Sequence, residues 1–330
     1  MPGEFVSYAQ NGEDVVLRRA LRDVDHGCYV EVGGNDPTEL SVSRAFYDAG
    51  WQGVVVEPVT AYARRFRAER PRDTVVEAAV TSTPGPVTLH QIDDTGLSTL
   101  SGDVAEHQQR SGWDVHDVEV AGRRLDEVLD EHLPPGRDVH FLVVDVEGAE
   151  ADVLASLDLA RHRPWVLVVE ATQPLSDQPS HAAWEPGVLA AGYRFTLFDG
   201  LSRFYVHEDH AERARALSYP ACALDEYIRW PEVKLVESRG EVAGALEAAE
   251  GELARLRTEL ESARADVATW RARAVEGWTT AQVEAPRAGL SVSEAALRRE
   301  LDAMQQTLSW RITRPLRAVR KLQRTPGGGR

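Results

Sequence analysis

The chain has 330 residues, 43% of them hydrophobic, which is enough for one large α/β domain and an appendage. Its formal net charge of −16 argues against a nucleic-acid-binding surface, because phosphate backbones are held by clustered Lys and Arg. Cys28 and Cys222 have no second Cys or His at metal-ligand spacing, the opening MPGEFVSYAQ is no signal peptide, and no apolar run nears the ~20 residues of a membrane span, so a cytoplasmic protein is expected.

Up to about residue 230 short apolar runs alternate with amphipathic stretches, the rhythm of βα units around a mostly parallel sheet. The spacing predicts strands at residues 28–32, 53–57, 74–79, 87–91, 141–145, 165–170, 193–199 and 203–206. The runs at 141–145 and 165–170 are apolar until a terminal acid, Asp145 and Glu170, as expected of central strands buried on both faces. Residues 195–206 read as an antiparallel hairpin with Asp199 and Gly200 in its turn.

The first strand runs into YVEVGGNDP, where Gly33, Gly34, Asn35, Asp36 and Pro37 end any regular element. A dinucleotide fingerprint G-x-G-x-x-G fails there, because its third and sixth positions are Asn35 and Thr38. That disfavours a nicotinamide-dependent oxidoreductase or epimerase. Two strand-end acids remain, Glu31 just before the turn and Glu57 closing the next strand. They suit a cofactor with a ribose diol and an ammonium, such as S-adenosylmethionine. A strand-end acid also serves as a helix N-cap or a surface charge, and spacing alone leaves both roles open.

Beyond residue 231 the composition turns to Ala, Glu, Arg and Leu. Apolar residues fall at Val242, Leu246, Ala249, Leu253, Leu256, Leu260, Ala263, Val267, Trp270 and Ala274, in alternating steps of four and three. That is a coiled-coil seam, and a homo-oligomer is expected through it. A break is expected at 277–289, around Pro286, before Leu297, Leu301, Met304 and Leu308 restart the spacing. The tail 309–330 carries seven basic residues and no acid. It reads either as a solvated tail or as a basic segment meeting anionic lipid at the inner membrane face or an acidic partner.

The segments SYAQNGEDVVL, YVEVGGNDPTELSVSRAFYDAGWQGVVVEP, LSTL, FLVVDVEGAEADVL, RPWVLVVEATQP, HAAWE and GYRFTLFDGLSRFYV, spread over residues 7–206, resemble the FkbM-type S-adenosylmethionine-dependent methyltransferases. Glu31 and Gly34 depart from the family's commoner D-V-G-A-N turn and keep its chemistry. The resemblance implies a class I, Rossmann-like seven-stranded sheet over residues 1–230; the helical coiled coil at 231–308 and the basic tail beyond lie outside it. It implies that Glu31, Gly33 and Asn35 shape the methionine side of the cofactor site, that Glu57 takes the ribose hydroxyls and that Ala79 lies near the adenine. A lid helix at residues 7–14 would turn Tyr8, Gln10 and Glu13 to the site; Ser7 or Asn11 as mere caps is the other reading.

Methyl transfer to an alcohol needs a base near the methyl group. His181, in a Pro-rich loop, is the preferred candidate, since its ordinary pKa is nearest neutrality. Asp145 and Glu170 are expected to bind the ammonium, orient His181 or hold a divalent cation; spacing does not separate these roles, and no metal is assigned. Trp184, Phe198, Phe204 and Tyr205 offer either a face for a sugar ring or ordinary sheet packing. The implied activity is O-methylation of a sugar or glycan hydroxyl, the acceptor class resting on the family and on SWRITRPLR, which looks like a closing segment of bacterial cell-surface-glycan enzymes. The alternatives are a hydroxyl of a secondary metabolite such as a polyketide, or a non-catalytic coiled-coil scaffold.

Overall fold

The computed structural model describes residues 5–283, 294–307 and 310. Twelve strands are described: β1 (Phe5–Ser7), β2 (Cys28–Val32), β3 (Gln52–Val56), β4 (Thr74–Val76), β5 (Ala79–Val80), β6 (Gly85–Gln91), β7 (His116–Arg123), β8 (Phe141–Val144), β9 (Val166–Glu170), β10 (Tyr193–Phe198), β11 (Ser202–His207) and β12 (Tyr227–Arg229). The helices among them are α1 (Glu13–Ala20), α2 (Arg44–Asp48), α3 (Thr60–Glu69), α4 (Gly102–Arg110), α5 (Leu125–His132), α6 (Glu150–Ala155), α7 (Leu159–His162) and α8 (Glu185–Ala190), followed by the long α9 (Trp230–Val283) and α10 (Glu294–Gln306).

Seven strands form the central sheet in the order β10-β11-β9-β8-β2-β3-β4. From β9 to β4 all neighbours are parallel, while β11 runs antiparallel to β9 and to β10. Chain order leads outward from β2 through β3 to β4 on one side and from β8 to β9 on the other. The switch point between β2 and β8 is where ligands of open α/β sheets sit, at the carboxyl ends of the strands.

The period-two alternation of side chains divides the core. Val30, Val32, Val54, Val56, Leu142, Val144, Leu167 and Val169 face one way, against Leu125, Val128 and Leu129 of α5, Val153 of α6 and Val188 of α8. Tyr29, Val55, Phe141, Val143, Val166 and Val168 face the other way, against Val16 and Leu17 of α1, Phe46 and Tyr47 of α2 and Phe66 of α3. Glu31 shares the parity of Tyr29 and is in register with Val55 and Val143. Glu57, Asp145 and Glu170 each lie two residues beyond a member of the second set. One alternation therefore sends four strand-end acids to the same face.

Several elements differ from expectation. The helix expected at 7–14 starts only at its end: β1 closes at Ser7, pairs in parallel with β12, and α1 begins at Glu13. Neither proposed side-chain cap forms, since α1 starts from left-handed Gly12 and the Ser7 hydroxyl donates instead to Asp14 (2.7 Å). The strand expected at 74–79 is two, β4 on the central sheet and β5 in a small sheet β5-β7-β6. The apolar stretch of α9 continues through Gly277, where a break was expected, to Val283. Residues 284–293, Leu308 and the tail 309–330, Trp310 excepted, lie outside the described residues.

The chain divides into two compact units, Met1–Val242 and Ala243–Arg330, so α9 itself crosses the boundary expected at 230. Among the described residues no helix is long and apolar enough to cross a membrane.

Candidate active site

A cavity of about 410 Å³ opens at the carboxyl ends of the central strands, a volume within the usual range for small-molecule sites. It draws its walls from the turn after β2, the ends of β3, β8 and β9, and the start of β11. A cover runs from Thr95 to Leu100, tied down where the Thr99 hydroxyl donates to the Glu147 carbonyl (2.7 Å) and where Tyr62 donates to the Thr95 carbonyl (3.2 Å).

The floor is the turn that ends β2. Gly33 has φ 84, and a Cβ there would stand 1.7 Å from the Asp145 carbonyl oxygen, so no other residue fits. Asn35 takes the left-handed region as well, φ 47, which Asn tolerates. Its backbone N–H donates to Glu57 Oε2 (2.8 Å), the other oxygen of Glu57 accepts from Val59 N (2.7 Å), and Asn35 Oδ1 is buried without a partner. Glu31 accepts from the Ser43 hydroxyl (2.5 Å), with the guanidinium of fully buried Arg70 3.8 Å away. Arg70 also donates to Ser43 and Ser41 (2.6 Å each) and to the Pro37 carbonyl, which fixes the whole loop from β2 to α2.

Opposite this floor, Asp145, Glu147 and Glu170 bring one carboxylate oxygen each to within 4.8 Å of one another. Glu147 has φ 52, and its Oε2 and that of Glu170 are buried without a hydrogen-bond partner. Asp145 is the most exposed of the three and opens onto the cavity. Behind it Glu150 holds the turn, accepting from Gly148 N (2.9 Å).

So many buried acids raise one another's proton affinity. Burial is the first cause for Asp145, Glu147 and Glu170, and repulsion among them raises Glu147 and Glu170 further. A hydrogen bond between Glu170 and Asp145 favours the ionised form of Asp145 and the protonated form of Glu170. Burial pushes Glu57 up to about 7 against the pull of its two backbone N–H donors. Glu13 rises to about 8 through burial and then the charge of Asp199.

The structure brings Gln10, Glu13, Glu31, Gly33, Asn35, Glu57, Ala79, Asp145 and Glu170 to this one cavity. Tyr8 is not among its walls: its hydroxyl donates to Asp48 (3.1 Å) and its ring packs on Trp230. His181 is also outside, with Nε2 3.9 Å from Glu185 and its ring edge-on to Trp184. Next to it, Arg203 and the Tyr205 hydroxyl hold Glu185 (2.7 and 2.8 Å). The aromatic residues offered as a sugar platform do not line the cavity either; Trp184, Phe204 and Tyr205 are buried in packing. Glu147 and Glu150 escaped the sequence reading, although the acids of VDVEGAE, spaced around a glycine just past a buried strand, carried the signal.

Residues 31–195 match the family model described as Methyltransferase FkbM domain. No curated protein matches the sequence. Among solved structures, that of a TehB-like SAM-dependent methyltransferase from Corynebacterium glutamicum is similar at 8% identity, covering 59% of this chain and 88% of that one with a TM-score of 0.32.

Proposed function

The chain belongs to the FkbM methyltransferase family, and from that premise we propose that it is an S-adenosylmethionine-dependent O-methyltransferase whose acceptor is a hydroxyl of a sugar or glycan intermediate. The observation that carries the oxygen reading is the carboxyl cluster Asp145, Glu147 and Glu170 in the cavity. A hydroxyl must lose its proton as it is methylated, and a carboxylate of raised proton affinity is a base matched to neutral pH. The sugar reading is supported by the family resemblance and the closing SWRITRPLR segment.

The residues present fit the cofactor. Gly33 and Gly34 let the turn pack closely on the Asp145 carbonyl and on Val55 and Phe66 beside the cavity, and the orphaned acceptors Asn35 Oδ1 and Glu170 Oε2 await donors. When bound, S-adenosylmethionine supplies an electrophilic methyl group on a sulfonium. Glu57, in a pocket of apolar neighbours, takes the ribose hydroxyls, and the acids around the turn hold the ammonium. Glu170 keeps its proton and orients Asp145, which accepts the proton of the acceptor hydroxyl. The segment from Thr95 to Leu100 lines the same cavity.

Incubation with labelled S-adenosylmethionine and a panel of methyl glycosides and glycan extracts tests the reading. A product heavier by one methylene whose label survives mild alkali is an ether and supports it; label released by alkali is an ester and overturns it. Asp145→Asn is expected to slow turnover by ~10²–10⁴, with His181→Ala close to wild type. The same assay in EDTA separates the proposed proton acceptor from a divalent cation held by the three carboxylates, since only the second would need added Mg²⁺.

A further inference from the structure

Along α9 a stripe of apolar side chains is left exposed among the described residues: Val242, Leu246, Leu253, Leu256, Leu260, Val267 and Trp270 are between 48% and 66% exposed. With Ala249, Ala263 and Ala274 they keep alternating steps of four and three, the seam that helices bury by supercoiling around one another. The residues beside the seam say what covers it. One flank carries Glu252, Glu259 and Asp266, and the other carries Arg257, Arg264 and Arg271.

We infer that α9 pairs with α9 of a second copy of this chain as a parallel, in-register, two-stranded coiled coil. In that arrangement each residue of the first flank meets the residue five positions on in its neighbour. Glu252 faces Arg257 of the partner subunit, Glu259 faces Arg264 of the partner subunit and Asp266 faces Arg271 of the partner subunit, and symmetry repeats all three. An antiparallel pair sets acid flank against acid flank and Arg flank against Arg flank, which repel. The register is guarded as well. A slip of one heptad brings Glu252 against Glu250 of the partner subunit and Arg273 against Arg271 of the partner subunit. The pairs that Arg255 makes within one helix, to Glu252 (3.0 Å) and Glu259 (3.6 Å), are exposed and weak, and leave both acids free to turn outward.

Light scattering and sedimentation of the full chain, with charge-swapped and cysteine variants, test this. The wild type is expected to be a dimer at micromolar concentration. Glu252→Arg/Glu259→Arg/Asp266→Arg makes both flanks basic and Arg257→Glu/Arg264→Glu/Arg271→Glu makes both acidic; each alone is expected to weaken the dimer at least tenfold, and mixing the two restores it as a heterodimer. On a Cys222→Ser background, Ala249→Cys and Ala263→Cys are each expected to form an interchain disulfide, which only a parallel, in-register pair permits at both sites. A monomeric or trimeric wild type, failure of the mixed variants to pair, or cross-linking at one site alone overturns the proposal. Circular dichroism on every variant keeps loss of pairing distinct from loss of the helix.

Discussion

At Gly33 a single hydrogen atom separates a working site from a blocked one. Gly33→Ala drives a methyl group onto the Asp145 carbonyl at a left-handed φ, so the turn or β8 must shift. The expected outcome is loss of measurable S-adenosylhomocysteine binding together with a lower melting temperature. Glu57→Ala removes a charge-assisted pair worth ~1.5–3 kcal/mol per bond, and calorimetry should show affinity at least tenfold weaker. Unchanged affinity would remove Glu57 from the ribose. Protonation adds a third expectation. A cationic ligand favours the ionised carboxylates, while free Glu57 and Glu13 hold protons up to about pH 7 and about pH 8, so binding releases protons and affinity rises from pH 6 to pH 8. Titrations in buffers of different ionisation enthalpy read that release directly. Among these residues, those on strand ends were legible in the sequence, because an acid closing an apolar run has its place and its face set by the period of the strand. His181 stands outside the cavity walls, a position the sequence could not give because no period governs a loop.

The loop between β2 and α2 shows how an element is held by one residue. Arg70 at the end of α3 is fully buried and binds Ser41, Ser43 and Pro37 beside Glu31. Arg70→Met strands the Glu31 carboxylate without its cation, and a broken buried pair costs about 3–5 kcal/mol; the denaturation midpoint is expected to fall accordingly. A midpoint within error of wild type would mean that the hydroxyl of Ser43 alone satisfies Glu31. Legibility of elements followed the same physics. β2, β8 and β9 are buried on both faces, so their sequences are apolar and plain. HDVEVAGR of β7 is exposed at four of its eight positions and buried only at Gly122, so it offers no apolar run and passes for a loop. The single strand expected at 74–79 parts at exposed Glu77 because β4 pairs with β3 while β5 pairs with β7. The alternating steps along α9 were legible, whereas its passage through Gly277 was not, since a lone glycine weakens a helix without ending it.

Over the whole molecule the buried acids make stability depend on pH. Burial raises Glu13 to about 8 from an ordinary 4.5, Glu57 and Glu150 to about 7, and Asp14 to about 6. The folded chain therefore holds more protons than the unfolded one between about pH 4.5 and about pH 8, and stability falls as pH rises through that window. Melting temperatures of the ligand-free protein should decline from pH 6 to pH 9, and Glu13→Gln should flatten the slope. The pairing of β1 with β12 has a further consequence, for the order of events at the ribosome. Phe5 lies beside Tyr227, which is made far later, so at ~5–20 residues per second it waits roughly ten to fifty seconds for its partner. Gln10 and Glu13 follow directly on β1 and form part of the cavity wall. β1 is thus made long before the strand that fastens it, and a nascent chain completes its cavity only once the strand leading into α9 has left the tunnel.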